Sequence, residues 1–308
     1  MKVDFTVSVV VPTFNRPSKL FGTLKALSVQ TFTDFLVYVV DDGSNHENLE
    51  QVKRVCESFS KFCKLIEQEN FGASRALNNG VAKCPDGLII ILDDDIEFTT
   101  RTIEQHVQFQ INHGPCIVSG ETNSDAARAK SDVERYKIYM EQIWMEKRPE
   151  TLGCVRVGWD NFIVTTANTS FSKSLFLQIG GFNEKLRDGY DVDFAIRALL
   201  MNLPVWFDRS IKSIHNDQIT LRYYAKRQSA YDDSKRRILA DRPELKNVFK
   251  IPVPVKPYLI KKVIYTLMRK NGFVNFVENS GFMKLFPRPL RYRIYGSTIA
   301  ALSAQSNE

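Results

Sequence analysis

Three consecutive aspartates, Asp93, Asp94 and Asp95, follow the apolar run LIIIL at residues 88–92. Adjacent carboxylates repel one another, so at least one pKa rises unless a cation shares the site. A hard divalent ion relieves that repulsion, because Mg²⁺ and Mn²⁺ take oxygen ligands and keep open positions for phosphate oxygens. The D-x-D arrangement therefore suggests a metal site. A solvated acidic loop, or a cluster that serves a helix beginning near Thr99, also fits this stretch taken alone.

Polar clusters end four apolar runs in succession, and segments with helical apolar spacing separate these runs. The four clusters are Thr13-Asn15-Arg16, Asp41-Asp42, Glu69-Asn70 and Asp93-Asp94-Asp95. Continuous apolar strands that alternate with amphipathic helices predict an α/β fold, with a mostly parallel sheet and helices on both faces. Ligands of such open sheets bind outside the carboxyl ends of the strands. The four clusters therefore predict one ligand crevice along one rim of the sheet.

The pattern beyond residue 125 is less regular. In order, it predicts a polar helix over 126–147, a strand at FIVTTA (162–167), a helix over 175–179, the turn GGFNE (180–184) and a helix through Val192 and Leu199. The three prolines of IPVPVKP (251–257) indicate a linker. We therefore predict a catalytic domain over residues 1–245, with halves at 1–125 and 126–245, and a C-terminal extension over residues 246–308.

Basic residues are concentrated near the C-terminus. The formal net charge is +7, but residues 246–296 contain eleven lysines or arginines and one acid, a net charge of +10 that leaves −3 for the remainder. The stretch KPYLIKKVIYTLMRKNG places Leu259, Val263 and Leu267 on one helical face. A basic amphipathic helix can lie on an anionic membrane, so residues 256–293 are a candidate membrane contact. A helix docked on the catalytic domain fits equally. No nucleic acid is expected, because no reader motif is present.

The bulk composition is that of an ordinary globular protein: 308 residues, 44% hydrophobic and 25% charged. No run reaches the roughly 18 apolar residues that a membrane-spanning helix needs. The N-terminal apolar stretch stops at Pro12, which indicates a strand rather than a secretory signal. The five cysteines form no CxxC pair, which is typical of reduced thiols in the cytoplasm. We therefore expect a cytoplasmic protein, with a peripheral position on the inner face of the cell membrane if the basic tail binds lipid.

Two other classes of α/β protein fit less well. An acid at the end of the second strand, here Asp42, can accept hydrogen bonds from a ribose in dinucleotide-binding proteins. A dehydrogenase of that class should carry G-x-G-x-x-G after its first strand, whereas this chain has PTFNR. A receiver domain carries its acidic pair after the first strand and is far shorter. The sequence therefore disfavours both classes.

Six motifs, in this order and spacing, resemble the family 2 glycosyltransferases. VSVVVPTFNR, SVQTFTDFLVYVVDDGS, ENFGASRALNNG and LIIILDDD resemble the donor-binding half of that family, and ANTSFSKSLFLQIGGFNE and DGYDVDFAIRALLMNLPV resemble its acceptor half. The resemblance covers about residues 6–216. It implies the GT-A fold, an α/β fold with a Rossmann-like donor half and a mixed acceptor half.

The resemblance also implies roles for individual residues. The nucleotide sugar would contact Pro12, Thr13, Arg16, Asp42, Asn70, Gly72, Asn78, Asp93 and Asp94. Within that set, Asp42 would accept the imide N–H of a uracil ring. Asp93 and Asp95 would bind Mn²⁺ or Mg²⁺, and His215 falls where many members of the family have a further metal ligand. Leu77 stands where many members have an arginine, so a phosphate contact from Arg75 is in doubt.

The general base is expected in the segment RDGYDVDFAIR. Members of the family usually have a pair of acids here, and the second acid removes the proton of the acceptor hydroxyl. On this alignment Asp191 is that base, and Tyr190 replaces the first acid. Asp188 and Asp193 are the other candidates. Asp191 could instead be the N-cap of the following helix.

The function implied is inverting transfer of a sugar, from a UDP-linked donor, to a hydroxyl of a glycan or lipid-linked saccharide in cell-surface polysaccharide or glycoconjugate synthesis. A single base and a metal-stabilised leaving group suffice for such a displacement. The alternative is a nucleotide- or sugar-binding module of the same fold that has lost catalysis, because Tyr190 interrupts the acidic pair.

Overall fold

The computed structural model describes residues 3–146, 153–215, 219–247 and 259–305. The predicted linker at 251–257 lies outside the described residues. The strands are β1 (Thr6–Thr13), β2 (Leu36–Asp42), β3 (Cys63–Gln68), β4 (Gly87–Leu92), β5 (Ile96–Phe98), β6 (Ile117–Ser124), β7 (Cys154–Arg156), β8 (Asn168–Ser172) and β9 (Val205–His215). The helices are α1 (Pro17–Leu27), α2 (His46–Ser58), α3 (Ala73–Lys83), α4 (Thr102–His113), α5 (Asp132–Glu146), α6 (Lys173–Ile179), α7 (Tyr190–Leu200), α8 (Leu221–Asp241), α9 (Leu259–Met268), α10 (Asn271–Asn279) and α11 (Arg288–Gln305).

Among the described residues, nine strands form one sheet in the order β3-β2-β1-β4-β8-β6-β9-β5, with β7 paired to β9. The strands β1 to β4 run parallel to one another, β8 runs antiparallel to β4 and β6, and β6 runs parallel to β9. Both β5 and β7 run antiparallel to β9. Most strands therefore point in one direction, and the predicted α/β class is confirmed.

Helices cover both faces of the parallel strands, because successive side chains of a strand point to opposite faces. On one face, Val9 and Ile90 belong to a buried core that also includes residues of α1, α2 and α4. On the other face, α3 packs against β1 and β2, where Gly80 lies against Val10 and Val40. Burial on both sides explains why β1, β2 and β4 are rich in apolar residues.

Substitution of alanine for two helix-interior glycines, Gly80 and Gly22, should change the free energy of unfolding in opposite directions. A Cβ at Gly80 would lie 2.5 Å from Cγ1 of Val10 and 2.9 Å from Cγ2 of Val40, whereas a Cβ at Gly22 would meet nothing within 4 Å. We expect Gly80→Ala to lower the free energy of unfolding by about 1–2 kcal/mol, because overpacking outweighs the gain in helix propensity. Gly22→Ala should raise it by about 0.5–1 kcal/mol. Urea denaturation of both variants tests this, and changes of the same sign would contradict the packing of α3.

Two predicted elements begin later than expected. The strand predicted at 162–167 is wrong, since β8 begins at Asn168. In the preceding segment the carbonyl of Thr165 accepts a hydrogen bond from the Ser119 hydroxyl (3.2 Å), and the carbonyl of Ala167 accepts one from the Asp93 amide (3.1 Å). An apolar run becomes a strand only where another strand supplies a ladder of backbone partners. The helix predicted over 126–147 is also shorter, because α5 follows a separate 3₁₀ turn at Ala126–Arg128.

Contacts group the chain into two compact units. The first comprises Met1–Ser124 and Pro149–Asn216, and the second comprises Asp125–Arg148 and Asp217–Glu308. The second unit has its own hydrophobic core, to which α5, α8, α10 and α11 contribute, for example through Tyr136, Ala225, Val274 and Tyr295. The grouping differs from the predicted boundary at residue 245, because residues on both sides of that position share this core. None of the helices in the described part of the chain combines the length and the apolar character needed to cross a bilayer.

Candidate active site

The carboxyl ends of the parallel strands meet at one rim of the sheet. Thr13 at the end of β1 pairs with Asp41 of β2, and Asp42 pairs with Gln68 of β3. The strand β4 ends at Leu92, directly before the three aspartates. The strand register therefore brings the predicted polar clusters together along this rim.

Asp93, Asp95 and His215 form a compact group of possible metal ligands. One ligand atom of each lies within 4.8 Å of the others, and Nε2 of His215 is 3.6 Å from Oδ1 of Asp95. The histidine reaches this position because β9 runs antiparallel to β5 and pairs His215 with Ile96. Two carboxylates and one imidazole are donors that fit a divalent cation. The predicted metal ligands are thus neighbours in the folded chain.

Asp94 has a different environment from the aspartates on either side. Its side chain is fully buried, Thr13 Oγ1 donates a hydrogen bond to its Oδ2 (2.7 Å), and Nη2 of Arg16 lies 2.9 Å from its Oδ1. Burial raises the pKa of Asp94 to about 7, while Arg16 and Thr13 act in the opposite direction. These contacts tie the loop after β1 to the loop after β4. The polar atoms of Thr13 and Asp94, predicted to contact the donor, are engaged with each other.

Two cations from the start of α1 contact Asp95. Nη1 of Arg16 lies 2.8 Å and Nζ of Lys19 lies 3.3 Å from its Oδ2. Both side chains keep more than a third of their surface exposed (41% and 36%), so they can also face an anionic ligand. Sequence reasoning missed Lys19, although a spacing of three residues places it on the same helical face as Arg16.

Asp42 organises the loop that follows β3. Gln68 Nε2 donates to its Oδ1 (2.8 Å), and the backbone amides of Phe71 and Gly72 donate to Oδ1 (3.0 Å) and Oδ2 (2.9 Å). Gly72 has a φ of 97°, which favours glycine, and its amide faces the carboxylate in that conformation. A carboxylate has about four lone-pair sites, so Asp42 keeps capacity for one further donor. Asp42 and Gly72, both predicted near the nucleotide, are therefore brought together.

A second carboxylate at the rim, Asp41, also fixes a loop. Its Oδ1 and Oδ2 accept hydrogen bonds from the amide (2.8 Å) and the hydroxyl (2.6 Å) of Ser44, and that hydroxyl accepts a bond from the amide of Asn15 (2.7 Å). A Cβ at Gly43 would lie 2.5 Å from the amide nitrogen of Asn70, so only glycine permits this approach of the two loops. The signal in the sequence was the run DDGS, in which small residues follow two acids.

The contacts of Asn78 differ from the predicted donor contact. Its Nδ2 donates to the carbonyl of Phe182 and to Glu184 (both 2.9 Å), and its Oδ1 accepts from the amide of Phe182 (2.9 Å). These bonds join α3 to the turn GGFNE. Arg75 also lies on this side of α3, with its guanidinium 3.9 Å from the ring centroid of Phe71. The side-chain amide of Asn78 thus has a structural use.

Asp191, the predicted base, lies in the first turn of α7. Its suggested role as N-cap is wrong, because Gly189 holds that position. Burial raises the pKa of Asp191 to about 6, a hydrogen bond from the Val192 amide (2.8 Å) lowers it, and the charges of Asp188 and Asp93 raise it further. The charge of a predicted metal ligand thus acts on the predicted base, although the two residues are far apart in the sequence.

Asp193, another candidate base, is committed to a structural ion pair. Nε of Arg197 lies 2.8 Å from its Oδ2, and the guanidinium also donates to the carbonyls of Ile179 and Gly181 (both 2.6 Å). Among the three acids of this segment, Asp193 is therefore the one with a clear structural role. Tyr190 packs edge-on against Phe182, with 5.4 Å between ring centroids.

Two exposed aromatic side chains near the rim were missed by sequence reasoning. Phe14 follows β1 and Phe71 follows β3, and they keep 41% and 48% of their surface exposed. The signal was a phenylalanine within each of two polar loops, PTFNR and ENFG. Pro12, which was predicted near the nucleotide, is partly buried beside Val40 of β2. Flat aromatic faces at such a rim suit the planar base of a nucleotide.

Comparisons with known proteins support the resemblance found in the sequence motifs. The family model described as Glycosyl transferase family 2 matches residues 8–180. An uncharacterized glycosyltransferase of Haemophilus influenzae is 26% identical over 194 residues, which cover 63% of this chain and 62% of that protein. The matched region spans less than two thirds of the length of the first curated relatives.

Solved structures share the fold. The mannosyltransferase PcManGT of Pyrobaculum calidifontis, in complex with GDP-Man and Mn²⁺, superposes with a TM-score of 0.63 at 18% identity over 99% of this chain and 88% of that chain. S. aureus TarS 1-349, in complex with UDP-GlcNAc, gives 0.54 at 17% identity over 97% and 89%. These likenesses confirm the predicted GT-A architecture.

Proposed function

This chain belongs to glycosyl transferase family 2, and from that premise we propose that it transfers a sugar from a nucleotide sugar to an acceptor hydroxyl, with inversion at the anomeric carbon. The observation that carries the proposal is the group Asp93, Asp95 and His215, whose ligand atoms lie within 4.8 Å of one another, and the charge of Asp93 is among those that raise the pKa of Asp191. A candidate base and a candidate cation site thus occur together, as a displacement at a diphosphate-linked sugar requires.

Asp93, Asp95 and His215 are proposed to hold the cation. Carboxylates suit Mg²⁺ and Mn²⁺ alike, but Mg²⁺ strongly prefers oxygen ligands, so the imidazole of His215 favours Mn²⁺. When bound, such an ion supplies charge neutralisation of the departing diphosphate. Arg16 and Lys19 contact Asp95 and remain partly exposed, so they add positive charge where the phosphates would lie.

Asp191 is proposed to remove the proton from the acceptor hydroxyl. The freed oxygen forms a bond to the anomeric carbon while the bond from that carbon to the diphosphate oxygen breaks, and the electron pair leaves with the nucleoside diphosphate. A single displacement inverts the configuration and needs only one base. A single base is sufficient here, although Tyr190 stands where the first acid of the pair is usual and packs against Phe182.

The nucleotide is proposed to lie over the loops after β1 and β3. Asp42 keeps capacity to accept one base N–H, and the two loops carry the exposed rings of Phe14 and Phe71. A uracil N–H suits this acceptor, which favours a UDP-linked donor, and a guanine presents similar donors. Both nucleotides occur with proteins of this fold, since PcManGT was solved with GDP-Man and TarS with UDP-GlcNAc. A glycan or lipid-linked saccharide is the proposed acceptor class.

A donor screen tests the proposal. The purified full chain is incubated with UDP-, GDP- and dTDP-sugars and Mn²⁺, and released nucleotide is measured with and without EDTA. We expect release from one nucleotide class, increased by acceptor saccharides and abolished by EDTA. A protein that binds a nucleotide sugar with Mn²⁺ but releases nothing would favour the catalytically inactive binding module instead. Absence of both binding and release would reject the donor site.

The pH dependence should reflect Asp191. It acts as a base only when ionised, and burial raises its pKa to about 6. We therefore expect kcat/KM to fall about tenfold per pH unit below about pH 6, whereas a base with the ordinary aspartate pKa would act down to about pH 4. A profile of kcat/KM between about pH 4 and 8 tests this. A rate that stays constant down to about pH 4 would contradict the assignment.

A further inference from the structure

A short apolar turn in the second compact unit projects its side chains into solvent. The 3₁₀ turn Gly281–Leu285 exposes Phe282 (51%) and Leu285 (76%), and the neighbouring Phe276 of α10 is 47% exposed. The rings of Phe276 and Phe282 lie 5.9 Å apart, so these side chains are contiguous. Proteins that work only in water seldom present such a group of large apolar side chains together.

The turn is fixed in this orientation. Side chains three residues apart share one face of a 3₁₀ helix, so Phe282 and Leu285 point the same way. Met283, between them, is buried in the hydrophobic core of the second unit. The hydroxyl of Ser280 accepts a hydrogen bond from the amide of Phe282 (3.1 Å) and caps the turn. The exposed apolar face is therefore built into the fold.

The segment that carries this face is rich in basic residues. Lys284 lies within the turn, and Lys270 and Arg293 are exposed nearby in the sequence. The acid in residues 246–296 is Glu278, whose Oε1 accepts a hydrogen bond from the amide of Leu221 (3.0 Å). The segment around the apolar turn therefore carries a strong net positive charge.

We propose that the turn Gly281–Leu285, with its Lys284 and with Phe276, is a docking surface for an anionic lipid bilayer. An apolar tip enters the boundary between headgroups and acyl chains, while lysines extend their ammonium groups to lipid phosphates. The charge pattern favours lipid over a protein partner, because the centres of protein interfaces are depleted in lysine, and here Lys284 lies between Phe282 and Leu285. This inference does not depend on the proposed reaction.

Vesicle sedimentation of the full chain tests the inference. Two vesicle types are used: phosphatidylcholine alone, and equal parts phosphatidylcholine and phosphatidylglycerol. We expect binding to the anionic vesicles, weak binding to the neutral ones, and loss of binding at high salt. The double variant Phe282→Ser with Leu285→Ser should bind at least about tenfold more weakly, and Lys284→Glu about fivefold or more.

Matched controls come from the first compact unit. Leu177 is also largely exposed (61%), and Lys61 is an exposed lysine, so Leu177→Ser and Lys61→Glu repeat the same chemical changes elsewhere. They should bind vesicles as the parent does. Circular dichroism checks folding, and if the double variant unfolds, Lys284→Glu carries the test alone.

Three results would overturn the inference: no binding of the parent to anionic vesicles, unchanged binding of the turn variants, or equal losses in the controls. Self-association that the double variant abolishes, without any vesicle binding, would instead identify an interface between copies of the chain. Vesicle binding is measured without a nucleotide sugar and transfer is measured without lipid, so failure of one proposal is distinguishable from failure of the other.

Discussion

Replacing Asp191 with asparagine is expected to lower kcat for sugar transfer by about 10²–10⁴-fold, the usual contribution of a positioned general base. Asparagine keeps the size of the side chain, and its carbonyl oxygen can still accept the bond from the Val192 amide. Donor affinity should therefore change little. Single-turnover rates and calorimetric donor binding separate these two effects.

The same variant should not be destabilised at pH 7. Burial raises the pKa of Asp191 in the folded protein, so the charged form costs free energy of folding at pH 7, where the unfolded chain is also ionised. Removing the charge relieves that cost, and the Tm should stay the same or rise. A large loss of stability together with the loss of rate would point to a structural role.

The neighbouring acids provide the controls. Asp188→Asn removes a charge that raises the pKa of Asp191, so the acid limb of the pH profile should move to lower pH while transfer continues. Asp193→Asn breaks the pair with Arg197 and should lower the Tm, with the midpoint of the pH profile unchanged. Undiminished transfer by Asp191→Asn, or complete loss in Asp188→Asn, would assign the base to Asp188.

Replacing Asp95 with asparagine is expected to lower kcat/KM by at least about 100-fold and to weaken Mn²⁺-dependent donor binding. One of the three clustered ligand groups loses its charge, and charge neutralisation at a leaving diphosphate contributes several kcal/mol, at about 1.4 kcal/mol per tenfold in rate. Calorimetric titration of the nucleotide, with and without Mn²⁺, measures the loss directly. His215→Ala should give a smaller loss, because it removes a neutral ligand.

Glu97→Gln is the matched control for Asp95→Asn. It makes the same change of charge two residues along the chain, at the exposed middle position of β5, and should leave the binding and the rate unaltered. Because Arg16 and Lys19 also contact Asp95, the Tm of the variant is measured alongside. If the heat of nucleotide binding is the same in the parent and in Asp95→Asn at every Mn²⁺ concentration, the group Asp93, Asp95 and His215 is not the cation site.

Much of the donor side was predictable from the sequence. The strands β1, β2 and β4 are rich in apolar residues because they are buried on both faces, and each ends at a polar cluster. Parallel strands place such ends on one rim, so the approach of Asp42 to the loop after β3 was expected from chain direction. The order of the motifs indicated the family, and the match over residues 8–180 confirms it.

Other features depended on side-chain partners that the sequence does not name. Thr13, Asp94 and Asn78 carried the expected residue types, but their polar atoms contact other parts of the protein. The apolar run at 162–167 lacked a neighbouring strand and stayed irregular. The residues beyond 245 share a core with α5 and α8, because the packing of a helix depends on faces that meet in space rather than on distance along the chain.

The sequence by itself determined which residue types lie at the ends of the strands, because the extent of an apolar run is a local property of the sequence. Only the tertiary structure decided that His215 lies 3.6 Å from Asp95 and that the charge of Asp93 reaches Asp191. Those relationships arise from the antiparallel pairing of β5 with β9 and from the position of Asp191 in the first turn of α7. They connect residues that are roughly a hundred positions apart in the sequence. Coulomb interactions and metal coordination depend on distance through space, and that distance is set by how the strands pair.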